Sequence, residues 1–450
     1  MLRLWSRIDV ILGRTQSALQ NLRILILLFL TRSGELPLDF CFYFFDDAPG
    51  SVVMIDRMEK VTNAFNLLVD NAHRWRNVQI RLPFKQHGAA RFGYLNWPED
   101  LPMLENLFME SLDYLNPEPL LITPNCQMPN LKVLHLKGLW LLNLEDDSSR
   151  TCESAFKHIS PDLLIVDTDD LDWRVTEIAS KSTAVRLQGM SWLESKRGTC
   201  RARRLEMFHG PKPATDVDIP FDKALRLITL PNVTELVFGR DSLQERSVRV
   251  PRPIFLDPDE FLVFKPFLFP WDSFIQTLSG RCNGAKITHF TIANYIISDA
   301  NLLDVISHLP SLTFLAIDQR FPYVSDKDRI DDTNRRFALT KSFFRAVTLS
   351  AIANPTSIVI PMTALEELRL GFHPNSFDST CSDGRLSFAE CIMVLLDMVE
   401  SRALGRERGL KKLWVHFESE SSAALADEDD RGRRIQMLRE DGLDFSIAWD

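Results

Sequence analysis

Apolar residues return along this chain in one recurrent spacing, LxxLxL, with aliphatic or aromatic substitutes. The pattern occurs at Leu104-Leu107-Met109, Leu131-Leu134-Leu136, Val233-Leu236-Phe238 and Ile287-Phe290-Ile292. It returns at Leu312-Leu315-Ile317, Leu365-Leu368-Leu370 and Leu410-Leu413-Val415. Alternation of this kind predicts short strands with one buried face. Pro102, Pro129, Pro231 and Pro310 each stand two residues before a first apolar position. A proline there suits a strand entry, where no ladder donor is lost. The starts lie 27, 102, 54, 25, 53 and 45 residues apart. A repeat of roughly 20–29 residues accounts for the short gaps directly and for those of 54 and 53 as two units each. The gap of 102 holds weaker copies near Leu163-Val166, Val185-Leu187 and Leu205-Met207.

Between the strands the period changes to that of a helix, with apolar residues at i, i+3, i+4 and i+7. The quartets are Val61-Ala64-Phe65-Leu68, Cys152-Ala155-Phe156-Ile159, Trp271-Phe274-Ile275-Leu278 and Leu302-Val305-Ile306-Leu309. A further helix is predicted from Cys391 through Val399, with Ser387 and Glu390 as a capping-box pair. Helix and strand in alternation imply parallel strands joined by right-handed crossovers, and stacked neighbours must supply the core. The predicted fold is an α/β, irregular leucine-rich-repeat-like solenoid. Its parallel strands would line a concave face and its helices a convex one. Residues 240–270 and the charged stretch 321–336 read as loops. Residues 418–434 read as a mobile, solvated segment, followed by a short closing helix and strand over Ile435–Asp450. The expected organisation is 1–35 as an N-terminal helical segment, 36–417 as the repeat domain and 418–450 as the acidic segment and closing element.

Composition narrows the function. The formal charge of −9 over 450 residues gives no support for affinity to phosphate backbones or anionic lipid, so neither nucleic acid nor membrane is an expected partner. The seven cysteines are scattered without a CxxC, which fits buried thiols in a cytoplasmic or nuclear protein. Ile24–Leu30 is the most apolar run; it is too short to span a bilayer, so a buried helix or strand is expected.

The strings LWSRIDV (Leu4–Val10), LTRSGELPLDF (Leu30–Phe40) and HRWRNVQIRLP (His73–Pro83) stand in an order that resembles the F-box/leucine-rich-repeat proteins of mushroom-forming fungi. The LPxLxxLxL strands at 101, 230 and 309 are similar to that family's C-terminal part. The resemblance implies a solenoid whose repeats hold a substrate while an N-terminal F-box docks on a Skp–cullin ubiquitin ligase. No LPxEIL-like opening stands ahead of Leu4. Two expectations remain: an F-box encoded further upstream, or a member without one that acts as a stand-alone scaffold. The sequence departs from regular repeats too. Three residues past each motif the usual turn asparagine is replaced by Leu112, Leu139, Asp241, Tyr295, Arg320, His373 and Glu418, which predicts an uneven array.

Candidate chemistry is weaker than these patterns. The run Asp167 to Asp172 lacks the glycine and glutamate of a calcium loop, whose places hold Asp172 and Ile178. Gly189-Met190-Ser191-Trp192-Leu193 lacks the second glycine of a nucleophile elbow. Lys196, Arg197, Arg201, Arg203 and Arg204 form the most basic stretch, read either as an anion site or as a solvated loop. Cys282 and His289 have no second pair at zinc-finger spacing. His73-Arg74-Trp75-Arg76 reads as packing, with Trp75 beneath the Val61–Leu68 helix and both arginines solvated or capping carbonyls. Asn232 begins a glycosylation sequon inside a predicted strand. No catalytic, cofactor or metal site is predicted. Alternation instead nominates outward residues as contacts for a protein partner or substrate: Lys132, His135, Thr288, His289, Thr291, Thr313, Glu366, Arg369, Lys412 and Trp414.

Overall fold

The computed structural model describes residues 6–12, 21–44, 52–82, 100–111, 119–120, 126–137, 140–141, 159–167, 178–188, 198–209, 225–226, 228–240, 271–293, 295, 298–318, 339, 341–348, 364–372, 388–403, 409–417 and 429–449. The chain divides into two units, Met1–Ala202 and Arg203–Asp450. Each is α/β with a parallel sheet whose strand order is the chain order. In the first unit, Arg7–Leu12 pairs with Leu38–Phe44, followed by Trp75–Leu82, Asn106–Ser111, Val133–Lys137, Leu163–Asp167 and Ala184–Gln188. In the second, Arg204–His209 pairs with Glu235–Arg240, followed by His289–Ala293, Phe314–Asp318, Glu367–Phe372, Lys412–Phe417 and Asp444–Trp449.

Every LxxLxL motif, the three weaker copies included, supplies a strand. Register places equivalent motif residues side by side, so each sheet carries two apolar rows on one face. One row of the first unit runs Phe40, Val78, Leu107, Leu134, Leu164, Val185. The corresponding row of the second runs Leu205, Leu236, Phe290, Leu315, Leu368, Leu413. All are buried. Helices supply the opposing surface. The Phe65 ring of helix Val52–Val69 meets Phe42 at 5.2 Å, and Phe274 of helix Trp271–Gly280 meets Phe238 at 5.0 Å and Phe290 at 5.9 Å. Such edge and stacked ring pairs add to simple area burial.

Strand entry has its own chemistry. Leu101, Met128 and Leu309 each accept, at 3.2 Å, a hydrogen bond from the backbone N–H of the first motif residue, respectively Leu104, Leu131 and Leu312. Pro102, Pro129 and Pro310 therefore sit second in a β-turn, where their fixed φ is favoured, rather than in the strands. Asn232 likewise lies exposed in a turn and not inside a strand. The next residue's carbonyl then accepts two successive N–H groups from the following strand. Glu105 O takes Lys132 N (2.7 Å) and Val133 N (3.1 Å), and Thr234 O takes Thr288 N (2.9 Å) and His289 N (3.1 Å). Thr288, Thr313 and Glu366 repeat the arrangement.

Several expectations change. Residues 1–35 hold the strand Arg7–Leu12 as well as the helix Leu22–Ser33. That helix buries Ile26, Phe29 and Leu30 but exposes Ile24, Leu25, Leu27 and Leu28, so the apolar run is buried on one side only. Trp75 packs as expected: it is fully buried, 6.3 Å from Phe65, and its indole N–H bonds Leu68 O. Of its neighbours, Arg74 is buried and bonds the carbonyl of Leu36 as well as Ser33 Oγ, while the half-exposed Arg76 forks onto both oxygens of Asp39. Residues 429–434 of the charged stretch belong to the helix Asp429–Glu440, and 418–428 lie outside the described residues. Arg434 of that helix binds Glu400 and Asp397 on the Phe388–Ala403 helix through charge-assisted bonds. The closing helix and strand are thus present, the strand as Asp444–Trp449. Ser387, residues 151–158, 241–270 and 321–336 lie outside the described residues.

Candidate interaction surface

Alternation along each strand sends every second side chain to the face opposite the buried rows. In the first unit that face carries Cys41, Gln79, Phe108, His135, Ile165 and Arg186 in one row. The next row carries Tyr43, Arg81, Glu110 and Lys137. The two rows interlock. Glu110 is only 3 % exposed and lies 2.6 Å from Arg81 Nε and 3.2 Å from Lys137 Nζ. The Arg81 guanidinium sits 4.4 Å from the Tyr43 ring centroid and 5.2 Å from that of Phe108, a cation held between two aromatic faces. Phe108 meets His135 edge-on at 4.6 Å. Gln79 Oε1 accepts from Tyr43 OH (2.9 Å) and Cys41 Sγ (3.3 Å). Burial pushes the Tyr43 hydroxyl and the Cys41 thiol up, so both keep their protons. His135 is pushed down to about 4, first by burial and then by Lys137, Arg186 and Arg81. Its Nε2 is buried and meets no hydrogen-bonding partner among the described residues.

In the second unit the face carries Glu206, Val237, Thr291, Ala316, Arg369, Trp414 and Ser446 in one row. Beside it run Arg204, Glu235, His289, Phe314, Glu367, Lys412 and Asp444. His289 stacks on Phe314 at 5.4 Å, and the Arg369 guanidinium lies 5.1 Å from the same ring. Trp414 is in register with Arg369 and meets His416 edge-on at 5.1 Å. Arg369 is tied to Glu367, and Arg204 to Glu206 and Glu235.

The nominated residues therefore divide by role. His289, Thr291, Arg369 and Trp414 share the face of the second unit, with Lys412 exposed beside them. His135 sits half-buried in the cluster of the first. Lys132 is exposed but paired with Glu105 at 2.9 Å, and Glu366 is paired with Lys411 at 2.8 Å. Thr288 and Thr313 belong to the ladder: their hydroxyls donate to Thr234 O (3.3 Å) and Thr288 O (3.0 Å) of the preceding strand. Alternation in the motif strands also implies Phe108, Lys137, Arg186, Phe314 and Glu367, which were not nominated. Tyr43 and Arg81 lie in strands that the motif does not mark. Tyr295, at a turn position that lacks the usual asparagine, is buried and donates to Gly239 O at 3.4 Å, a substitute way of satisfying a turn carbonyl.

Among the described residues no group of three or more His, Cys, Asp or Glu is placed to hold a metal ion, and no helix is long and apolar enough to cross a membrane. Cys282 is buried whereas His289 is exposed on its strand. The elbow-like stretch 189–193 and residues 168–172 of the acidic run lie outside the described residues. No protein-family model and no curated protein sequence matches the chain.

Proposed function

We propose that the chain is a protein-recognition scaffold built as an irregular leucine-rich-repeat solenoid, with the strand faces as its binding surfaces. The observation that carries this reading is the division of labour within each strand. Apolar rows are buried against helices, while Tyr, Trp, Arg, Phe and His side chains gather on the other face. Of these, Trp, Tyr and Arg are the residue types that dominate binding energy where proteins meet. The resemblance of the three N-terminal strings to F-box/leucine-rich-repeat proteins supports a further step, in which the scaffold presents substrates to a Skp–cullin ubiquitin ligase.

A photo-crosslinking amino acid placed at Trp414 or Thr291 of the full chain tests the first step, with the exposed helix position Gln276 as control. Partner adducts at the strand positions and not at Gln276 are the expected result. Adducts only at the helix position would overturn it. Co-purification of Skp and cullin subunits tests the second step; their absence leaves a stand-alone scaffold.

A further inference from the structure

Exposed apolar surface is concentrated at one edge of the first unit. Ile11, Ile24, Leu25, Leu27 and Leu28 are five of the seven large apolar side chains that stand exposed among the described residues. Four of them lie on the helix Leu22–Ser33, turned away from its buried residues Leu22, Ile26, Phe29 and Leu30. Ile24, Leu27 and Leu28 follow the i, i+3, i+4 spacing, so this helix carries a second apolar stripe on its outer side. Its two arginines, Arg23 and Arg32, stand near its ends and leave the middle of that stripe uncharged. The closing helix of the other unit, Asp429–Glu440, is built differently. It presents Arg433, Gln436, Arg439 and Glu440 to solvent, with Met437 as its exposed large apolar residue. In stacked repeat arrays a polar outer face of that kind is what keeps an end unit soluble alone.

The strand joined to the apolar helix is the edge of its sheet. Arg7–Leu12 stands last in the strand order, beside Leu38–Phe44. The Ser6 carbonyl accepts from Asp39 N–H at 2.7 Å. Alternation therefore turns the backbone groups of Ile8 and Val10 toward Leu38–Phe44, and those of Arg7, Asp9 and Ile11 to the outer side. A second, antiparallel copy of the same strand fits that side. Centred on Ile8, the pairing sets Arg7 against the partner's Asp9, and Asp9 against the partner's Arg7. Both residues of each pair face the edge, so each pair exchanges two backbone hydrogen bonds. Opposite charges directly across such a pair stabilise it. Within one chain Arg7 and Asp9 are 4.0 Å apart and well exposed, at 75 % and 51 %. A pairing centred on Asp9 would set carboxylate against carboxylate, so charge selects the register.

The same axis serves the helices. Each copy of Leu22–Ser33 crosses between two strands of its own sheet, and strands lie about 4.8 Å apart, which brings the two helices to roughly 10 Å. Helices pack at about 8–10 Å. We propose that two copies of the chain associate about a twofold axis at Ile8, through the edge strand Arg7–Leu12 and the apolar stripe of Leu22–Ser33. The interface uses the same patch on both copies, so it closes at a dimer. It stands independently of the recognition reading above.

Sedimentation equilibrium of the full chain over rising concentration tests it. The parent is expected to approach twice the mass of one chain. Ile24→Glu with Leu28→Glu charges two exposed positions and should leave the mass of one chain, with helical circular dichroism retained. Arg7→Asp or Asp9→Arg alone sets like charges across the axis and should weaken association about tenfold or more. The two together restore opposite charges and should regain it, which separates charge pairing from any effect on the fold. The mass of one chain for the parent at every concentration overturns the proposal. Flotation of that single chain on vesicles of phosphatidylcholine and phosphatidylserine would then assign the apolar stripe to a lipid surface. Dimers that survive Ile24→Glu with Leu28→Glu overturn it too, as does a charge-swapped chain that associates no better than the single reversals.

Discussion

The indole Nε1 of Trp75 donates to the carbonyl of Leu68 at 2.9 Å, so the first residue of the Trp75–Leu82 strand closes the last turn of the helix that precedes it. Trp75→Phe keeps most of the apolar volume and removes one of the two hydrogen bonds that Leu68 O accepts, the other coming from Asn71 N–H at 3.0 Å, at a cost of about 0.5–1.5 kcal/mol. Trp75→Ala adds a cavity and should cost about 3–5 kcal/mol. Denaturant unfolding of both variants against the parent measures the difference. Equal losses would show that the indole N–H, and not side-chain volume, is what Trp75 contributes.

Acid should loosen the first unit through His135. Its folded-state pKa of about 4 lies below the ordinary value of 6.5, so the unfolded chain binds more protons between those limits. Stability from this group is complete above about 6.5 and is lost as pH falls toward 4, by at most about 3 kcal/mol. Unfolding midpoints measured across that range should fall more steeply for the parent than for His135→Gln.

Cys41, Cys126, Cys200 and Cys282 are buried, and burial pushes the last three up to about 12, 11 and 12. Thiolate is the reactive form, so these four should resist Ellman's reagent in the native protein and react on denaturation. Mass spectrometry after native labelling assigns the reactive positions; rapid labelling of any of the four contradicts their packing.

Gly371 lies in register with Asp318, and a Cβ at Gly371 would stand 2.5 Å from Asp318 Oδ1. Gly371→Ala should cost about 1–3 kcal/mol through overpacking. Adding Asp318→Ala should restore part of that loss, a coupling that a double-mutant unfolding cycle reads directly.

Strand identity was legible because the motif records its own burial: Leu107, Leu134, Leu236, Leu315, Leu368 and Leu413 all point into the core, as their spacing requires. Helix faces were legible for the same reason, at Ala64, Phe65, Leu302 and Val305. The strand Leu38–Phe44 escaped because LDFCFYF fills its outward positions with Cys41 and Tyr43, which blurs the alternation. Arg76 escaped because its partner Asp39 lies on another strand. The Arg81–Glu110–Lys137 cluster was invisible in the same way. Its three residues are far apart in sequence, and only register gathers them on one face.

Because the entry carbonyls of Glu105, Thr234, Thr288, Thr313 and Glu366 each clamp two successive amides of the following strand, alignment is set afresh at those strands, whatever length of chain has intervened. The motif starts Ile287 and Leu312 are 25 residues apart and Leu312 and Leu365 are 53, yet Phe314 faces both His289 and Glu367 squarely. Insertions and deletions in the connections are therefore decoupled from the order of the side-chain rows. A lineage carrying this architecture can lengthen its loops freely while keeping the same side chains abreast.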